Sequence, residues 1–278
     1  MNPQQATLDF NKFISSISLA LDLAESCVFT DQRLRGENMK AFSELDVRKH
    51  NFTSHSKKTA LITLHIAHQL GYKGDRLNNL YIAAFLHDIG AVDALSYCHT
   101  DSDFIMEHCE FGSEIIRKLP IGHDISPFVR FHHEQYDGSG PYGLRSVQIP
   151  QEAHIIHVAD YFELIYNRDI GVMQRDLLTN WIRSKKGKMF DPYLTDVFLE
   201  VAEKERFWLD LENIERDHIV FERIRPKIET PMHLNQLADI ASVFATIIDK
   251  KSQFTHDHSF GLADNTGKIA TLYGFDKV

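Results

Sequence analysis

Apolar residues recur at helical spacing along most of this 278-residue chain, and no long alternating pattern of the kind that marks a strand appears. The spacing predicts helices over residues 8–25, 55–70, 75–90, 104–119, 124–136 and 151–168. We expect Ser54 to cap the helix that starts at His55, and Gly71 to end that helix. The pattern therefore predicts an all-α fold built as a bundle of helices.

One predicted helix carries two chemically active residues at its end. The apolar run at 81–86 leads directly to His87 and Asp88, and Gly90 follows at once. Asp and His are costly to bury unless they are paired or bind a metal ion. An imidazole nitrogen and a carboxylate could hold one cation, with the second carboxylate oxygen bridging to another. The alternative, in which both side chains cap backbone groups, is commoner for an isolated His-Asp pair.

The other histidines of the chain, which has 16, favour the metal interpretation. Five further residues could converge on the His-Asp pair: His55, His108, His132, His133 and Asp160. His157 shares a helical face with Asp160, so we expect it to support that carboxylate rather than bind metal. His65 and His68 also share a face, but with no third donor nearby we expect both to face solvent.

Charge and cysteine content narrow the possible functions. With 30 basic and 39 acidic residues the formal charge is −9, which disfavours binding of nucleic-acid polymers through a broad basic face. The three cysteines form no CxxC pair, which indicates reduced thiols in the cytoplasm, and we expect Cys109 to be a small buried filler. No apolar run reaches about 18 residues, so we expect no membrane span.

Several motifs together resemble the HD-GYP family of HD-superfamily phosphohydrolases. They are LHDIG at 86–90, MEHCEFG at 106–112, HHEQYDGSG at 132–140, VAD at 158–160 and FDPYLTDVF at 190–198. The resemblance spans about residues 50–200 and implies an HD-domain helical bundle with additional helices. It also implies seven metal ligands: His55, His87, Asp88, His108, His132, His133 and Asp160. On ligand type, iron or manganese is expected, while zinc and nickel stay open.

The resemblance implies a bacterial second-messenger phosphodiesterase that opens cyclic di-GMP or cyclic GMP-AMP to a linear dinucleotide. Asp88 and His87 would form its catalytic centre, Arg168 and Arg145 would contact phosphate, and Tyr142 would stack on a base. Two alternatives remain from the sequence. One is a weakly active or inactive regulatory domain, and the other is an HD phosphohydrolase that acts on another nucleotide or a phosphomonoester.

Three departures from the family pattern affect these expectations. Ala91 stands where the family usually has a phosphate-binding Lys, and the GYP motif is altered to Gly140-Pro141-Tyr142. Asn51, four residues before His55, replaces a Glu that would hold a third metal, so we expect two divalent ions rather than three.

The chain divides into four predicted segments. They are an N-terminal helix and connection at 1–49, the phosphodiesterase domain at 50–205, a linker arm at 206–235, and the truncated beginning of a second HD domain at 236–278. The last assignment rests on a shift of 203 that aligns His55 with His258 and Gly71 with Gly274. We expect His258 to bind no catalytic metal, and the C-terminal helices to pack on the first domain or on another copy in a homodimer.

Overall fold

The computed structural model describes residues 5–17, 54–91, 102–119, 122–233, 239–243, 245–246 and 258–273. Its helices are α1 (10–17), α2 (His55–Gln69), α3 (Gly74–Phe85), α4 (Ser102–Arg117), α5 (Gly122–Arg130), α6 (Gln151–Ile165), α7 (Arg175–Ser184), α8 (Pro192–Ala202), α9 (Glu205–Asn213), α10 (His218–Ile224) and α11 (His258–Leu272). Residues 239–243 are also helical, and Ser146–Gln148 and Gly171–Gln174 form short 3-10 turns. The all-α class predicted from the sequence is confirmed.

Two helices form the centre of the bundle. Helix α6 is buried from Ala153 through Ile165, as expected for a helix covered on all sides. Helix α2 packs against α6 and also against α3, α8, α9 and α10. Helices α4 and α5 pack on each other, and α5 packs on α3 and α6. The ends of α2, α3 and α5 and the inner turns of α4 and α6 bring the chemically active residues together.

A two-stranded sheet, which the apolar pattern did not predict, pairs a strand that precedes α1 with a strand that follows α10. Strand β1 (Gln5–Asp9) pairs antiparallel with β2 (Glu229–His233), with Thr7 opposite Pro231. The predicted helix at 8–25 therefore begins only at residue 10, after a strand, and its predicted part beyond 17 lies outside the described residues. Two short strands far apart in sequence leave little local pattern, because their pairing is a tertiary contact.

The predicted linker arm at 206–235 is, in the part up to residue 233 that the structure describes, packed on the bundle. Helices α9 and α10 lie against α2, and they bury Phe207, Trp208 and Phe221 in the common hydrophobic core. The indole of Trp208 donates to the Ala202 carbonyl at 2.8 Å. These helices do not behave as a linker, because most charged side chains of the stretch face outward and the buried Asp210 is ion-paired with Arg223.

Helix boundaries differ from prediction where a side chain takes over a backbone bond. Helix α3 ends at Phe85 rather than residue 90, and α5 ends at Arg130 rather than residue 136. The Nδ1–H of His87 donates to the Ala84 carbonyl at 2.9 Å, and that of His132 donates to the Val129 carbonyl at 2.6 Å. Each imidazole satisfies a carbonyl at the helix end, so the chain can turn there.

The two ends of α2 had different outcomes. Ser54 is the N-cap residue of α2, as predicted, but it adopts a left-handed φ of 60° and its side chain makes no capping bond. At the other end Gly71 has a φ of 75°, and the Tyr72 amide donates to the Ala67 carbonyl at 2.9 Å. This is the glycine-terminated helix end that the sequence predicts.

The C-terminal segment is partly packed on the bundle. Ile240 and Val243 are buried in the core, whereas α11 exposes Leu262, Ile269 and Leu272. Phe244, Ile247 and Ile248 of the predicted apolar stripe, and the side chain of His258, lie outside the described residues. The assignment of 236–278 to a second HD domain therefore stays a prediction. Within the described part of the chain, no helix combines the length and apolarity needed to cross a bilayer.

We predicted that His65 faces solvent, and this prediction was wrong. Its side chain is 13% exposed, with Nε2 3.4 Å from an Asp210 oxygen and the ring edge-on to Phe207 at 5.4 Å. Burial lowers the pKa of His65 to about 4, and the charge of Asp210 opposes this effect only in part. His68, one turn later, is exposed as predicted.

We expect His65→Leu to flatten the acid side of the stability profile. A histidine has a pKa of about 6.5 in the unfolded chain. Between pH 6.5 and 4 the unfolded state therefore binds one proton more than the folded state, and the free energy of unfolding decreases as the pH decreases. Removing the imidazole removes that contribution. Urea unfolding from pH 7 to 4 should show a shallower decline for His65→Leu than for the parent or for the exposed control His68→Leu; identical slopes would contradict the assignment.

Candidate metal centre

The seven residues predicted to bind metal meet in one buried site. Each of these seven residues is at most 4% exposed. They come from the start of α2, the turn after α3, the middle of α4, the turn after α5, and α6: His55, His87 with Asp88, His108, His132 with His133, and Asp160.

The Asp88 carboxylate faces two different groups of imidazoles. Its Oδ2 lies 3.3 Å from Nε2 of His55 and 3.2 Å from Nε2 of His87. Its Oδ1 lies 3.5 Å from Nε2 of both His108 and His132. One carboxylate thus lies between two sets of nitrogen donors, which is the arrangement of a ligand that bridges two cations.

The remaining two predicted ligands complete these groups. Asp160 Oδ1 lies 3.3 Å from His55 Nε2 and 3.6 Å from His87 Nε2, on the same side as Asp88 Oδ2. The His133 ring lies 4.1 Å from the His132 ring, centroid to centroid, and so belongs to the other side. The first group has two imidazoles, of His55 and His87, and oxygens of two carboxylates. The second group has three imidazoles and one oxygen, that of Asp88.

Four histidines direct Nε2 inward because Nδ1 is bonded outside the site. Nδ1–H groups donate to the carbonyls of Ala84, Phe104 and Val129 at 2.9, 2.9 and 2.6 Å, from His87, His108 and His132 respectively. The fourth, Nδ1 of His55, bonds Glu163 Oε2 at 2.6 Å. Such bonds fix the tautomer and ring orientation of metal-binding histidines.

Glu163 and Lys58 support the site and were missed at the sequence level. Lys58 Nζ lies 3.2 Å from Glu163 Oε1 and 3.1 Å from Glu215 Oε1. Glu163 is fully buried, and the ammonium partly neutralises it. Both residues lie three positions after a predicted ligand on the same helix face, Lys58 after His55 and Glu163 after Asp160. That spacing could have revealed them.

The electrostatics of the site attract positive charge. Burial lowers the pKa of His87, but Asp88 and Asp160 outweigh burial and raise that pKa to about 9. Burial also opposes charge on Asp88, yet the His87 charge and imidazole hydrogen bonds hold the Asp88 pKa well below its usual range. The carboxylate therefore stays ionised and draws either a proton onto the imidazoles or a cation between them.

The donor set fits divalent transition metals. Two groups, His55 with His87 and Asp160, and His87 with Asp88 and His132, each place their donor atoms within 4.8 Å of one another. Imidazole nitrogen and carboxylate oxygen are ligands for iron, manganese, zinc and nickel alike.

His157 supports the site in a different way from the one predicted. Its Nδ1–H donates to the backbone carbonyl of His132 at 2.7 Å, and not to Asp160. Burial lowers the pKa of His157 to about 3, so this imidazole stays neutral. It steadies the turn that carries His132 and His133.

Gly90 lets the His-Asp turn approach helix α4 closely. A Cβ added at Gly90 would lie 2.0 Å from the His108 carbonyl oxygen and 2.5 Å from the Gly112 amide nitrogen. Both neighbours are backbone atoms, so any larger residue would push the turn away from α4. The glycine therefore sets the separation between Asp88 and His108.

The predicted substrate residues lie on the loops that follow α5 and α6. Arg168 is ion-paired with Glu215, which also contacts Lys58. The Tyr142 hydroxyl approaches the Met106 carbonyl at 3.5 Å, two residues before His108. The side chain of Arg145 instead covers Gly138, where an added Cβ would lie 2.4 Å from its Cγ.

Glu134 holds the altered GYP loop and was not singled out from the sequence. It is fully buried and accepts the Tyr142 amide at 2.5 Å and the Leu144 amide at 2.7 Å. Because Glu134 directly follows His133, it links the loop to the ligand turn. The available sequence signal was an acidic residue directly after two adjacent histidines.

Comparison with known proteins finds one matching family and several relatives. Residues 52–165 match the model of the HD domain family. The chain is 26% identical over 202 residues to the cyclic di-GMP phosphodiesterase response regulator RpfG of Xanthomonas campestris, which covers 66% of this chain and 52% of that relative. It is 20% identical over 239 residues to the 3'3'-cGAMP-specific phosphodiesterase 1 of Vibrio cholerae, covering 80% and 54%. The chain spans about half the length of both.

A solved structure has the same fold. It is described as a cyclic GMP-AMP specific phosphodiesterase of V. cholerae, V-cGAP3, and it superposes with a TM-score of 0.68 at 20% sequence identity. The match covers 98% of this chain and 67% of that one. The likeness supports the helical architecture described above.

We expect Asp88→Asn to lower the metal content of the purified protein well below that of the parent. The amide keeps the shape of the side chain but removes the charge and one of the two oxygens that face the imidazole groups. Elemental analysis should show the loss. The control Asp196→Asn changes an exposed carboxylate paired with Lys186 and should leave metal content unchanged. An Asp88→Asn protein as fully loaded as the parent would rule out the bridging role.

Glu163→Gln should weaken metal binding by roughly 10–100-fold, as loss of such a supporting partner typically does. The amide oxygen of Gln can still accept a hydrogen bond from the His55 Nδ1–H, but the neutral side chain no longer makes that imidazole a stronger metal ligand or balances the charge of Lys58. Competition with a fluorescent chelator measures the affinity. Glu200→Gln, at an exposed carboxylate that accepts from Gln69, is the control, and equal affinities in the two variants would contradict the supporting role.

Proposed function

We propose, because residues 52–165 match the HD domain family, that this chain is a metal-dependent phosphodiesterase that opens a cyclic dinucleotide to a linear one. The observation that carries the proposal is the Asp88 carboxylate, whose two oxygens face separate imidazole groups at 3.2–3.5 Å. The names of the relatives support cyclic di-GMP or cyclic GMP-AMP as the substrate class.

The site would hold two divalent ions, with iron or manganese as the candidates of first choice and zinc or nickel as the others. When bound, the ions would neutralise phosphodiester charge and make a water molecule acidic enough to attack phosphorus. The protein's part is positional. His87 and Asp88 hold the centre, and His55, His108, His132, His133 and Asp160 complete the proposed ligand set.

Substrate contacts would come from the surrounding loops. The Arg168 guanidinium is held by Glu215, so a substrate phosphate would compete with that carboxylate for the same donor. Tyr142 offers an aromatic face, over which the Arg130 guanidinium lies at 5.3 Å from the ring centre. Base stacking on Tyr142 would replace that contact. Arg145 lies on the same loop and is the remaining proposed phosphate contact.

A regulatory domain that binds without rapid turnover is the second candidate. Ala91 is 5% exposed and brings no cation to the turn that carries Asp88. Loss of one charge-assisted contact to phosphate corresponds to about 1.5–3 kcal/mol, roughly a tenfold to hundredfold change in rate or affinity. A cytoplasmic location and a homodimer through the C-terminal helices remain predictions.

We expect the manganese- or iron-loaded chain to convert cyclic di-GMP or 3'3'-cGAMP to a linear dinucleotide. Chromatography of the products measures this conversion. Asp88→Asn should reduce the rate by about 100-fold or more, because misplacing reacting groups by about 1 Å costs that much. Asp196→Asn should match the parent.

Three other outcomes have distinct meanings. Binding of the cyclic dinucleotide with no product, measured by calorimetry, would favour the regulatory candidate. Hydrolysis of p-nitrophenyl phosphate alone would favour a phosphomonoesterase. Full activity of Asp88→Asn with the cyclic substrate would contradict the proposed centre.

A further inference from the structure

We infer that Cys109 supplies a sulfur ligand to the cation held by His108 and His132, so that this position prefers a thiophilic four-coordinate ion such as Zn²⁺. The inference rests on the proposed function and deepens it, because it names the metal class of one of the two positions. From the sequence we had expected Cys109 only to fill space.

Cys109 lies inside the donor cluster rather than beside it. The residue directly follows His108 in α4 and is fully buried. Its Sγ lies 3.6 Å from Nε2 of His108 and 3.7 Å from Nδ1 of His132. One donor atom from each of Cys109, His108, His132 and His133 falls within 4.8 Å of the others. The sulfur is thus one of four candidate donors around one point.

The separations between donors match a tetrahedral site. Tetrahedral zinc, with bonds of about 2.05 Å to nitrogen and about 2.3 Å to sulfur, places nitrogens about 3.4 Å apart and nitrogen about 3.6 Å from sulfur. The observed distances are 3.4 Å between Nε2 of His108 and His132, and 3.6 Å from Cys109 Sγ to His108 Nε2. An octahedral site with bonds of about 2.1 Å would need neighbouring donors about 3.0 Å apart.

The bridging carboxylate fits the same geometry. Asp88 Oδ1 lies 3.5 Å from each of the two Nε2 atoms, so the oxygen and the two nitrogens form a nearly equilateral triangle. That triangle is one face of a tetrahedron. Cys109 Sγ, 3.6 Å from His108 Nε2, and a nitrogen of His133 are the candidate donors for the fourth corner.

The two metal positions differ in chemical character. The group of His55, His87, Asp88 and Asp160 offers only nitrogen and oxygen, whereas the group around His108 and His132 adds sulfur. Thiolate ligands favour zinc and other soft or borderline ions, and carboxylate suits manganese. One chain would therefore hold two ions of different preference.

Sulfur coordination requires the loss of one proton. On binding, the S–H bond of Cys109 breaks, a sulfur–metal bond forms, and the proton passes to the solvent buffer. Burial and the charges of Asp88 and Asp160 raise the pKa of the Cys109 thiol, so the proton leaves only together with the binding of a cation.

The test uses the full chain in a Cys27→Ser/Cys98→Ser background, which leaves Cys109 as its one thiol. Loading with Co²⁺ should produce a near-ultraviolet thiolate-to-cobalt charge-transfer band. Adding Cys109→Ser should abolish the band and weaken Zn²⁺ binding by roughly 10–100-fold, with a smaller effect on Mn²⁺. Ser113→Ala, a buried change one turn further along α4, is the control and should keep the band.

Two results would overturn the inference: no band in the background protein with two Co²⁺ bound, or an unchanged band in Cys109→Ser. If Cys109→Ser fails to fold, as judged by circular dichroism, zinc-edge X-ray absorption on the background protein decides instead. A sulfur neighbour at about 2.3 Å supports the inference, and a shell of nitrogen and oxygen alone at about 2.0–2.1 Å overturns it.

Hydrolysis of 3'3'-cGAMP and cyclic di-GMP by the same preparations separates this inference from the proposed function. Hydrolysis without a sulfur ligand would overturn the inference and leave the phosphodiesterase proposal intact. A sulfur ligand without hydrolysis of either substrate would do the reverse.

Discussion

The structure depends on keeping two buried carboxylates compensated. Asp88 and Asp160 are essentially inaccessible to water, and an isolated ion in such a place costs several kcal/mol. Imidazole nitrogens at 3.2–3.6 Å supply the compensation, and they come from the ends of three helices and the middle of a fourth. The helices therefore have to meet at this point, and a bound cation would complete the charge balance that the protein prepares.

The same charge balance extends outward to the surface. Glu163 orients His55, Lys58 balances Glu163, and Glu215 joins Lys58 to Arg168. A residue proposed to contact substrate is thus connected by ion pairs to a proposed metal ligand. Displacement of Glu215 from Arg168 by a phosphate would also change the contacts of Lys58 and Glu163, since each carboxylate in the series is shared between two partners.

Imidazoles serve the fold as well as the site. His87 and His132 each bond the carbonyl three residues earlier, and this bond both ends a helix and turns Nε2 toward the centre. A single hydrogen bond therefore sets a helix boundary and a ligand orientation at once. This explains why helix propensity alone placed the ends of α3 and α5 several residues too late.

Local sequence determined the helical class, the glycine-terminated end of α2 and the identity of the seven candidate donors, because helical spacing and short motifs depend on near neighbours. Tertiary structure alone decided what depends on distant partners: the pairing of β1 with β2, the burial of His65 against Asp210, and the docking of α9 and α10 on α2. It also decided that Glu163 and Cys109 face the centre. A side chain's own chemistry can be read from the sequence. Its partners depend on how the helices pack, and packing depends on contacts between residues that are far apart in the sequence.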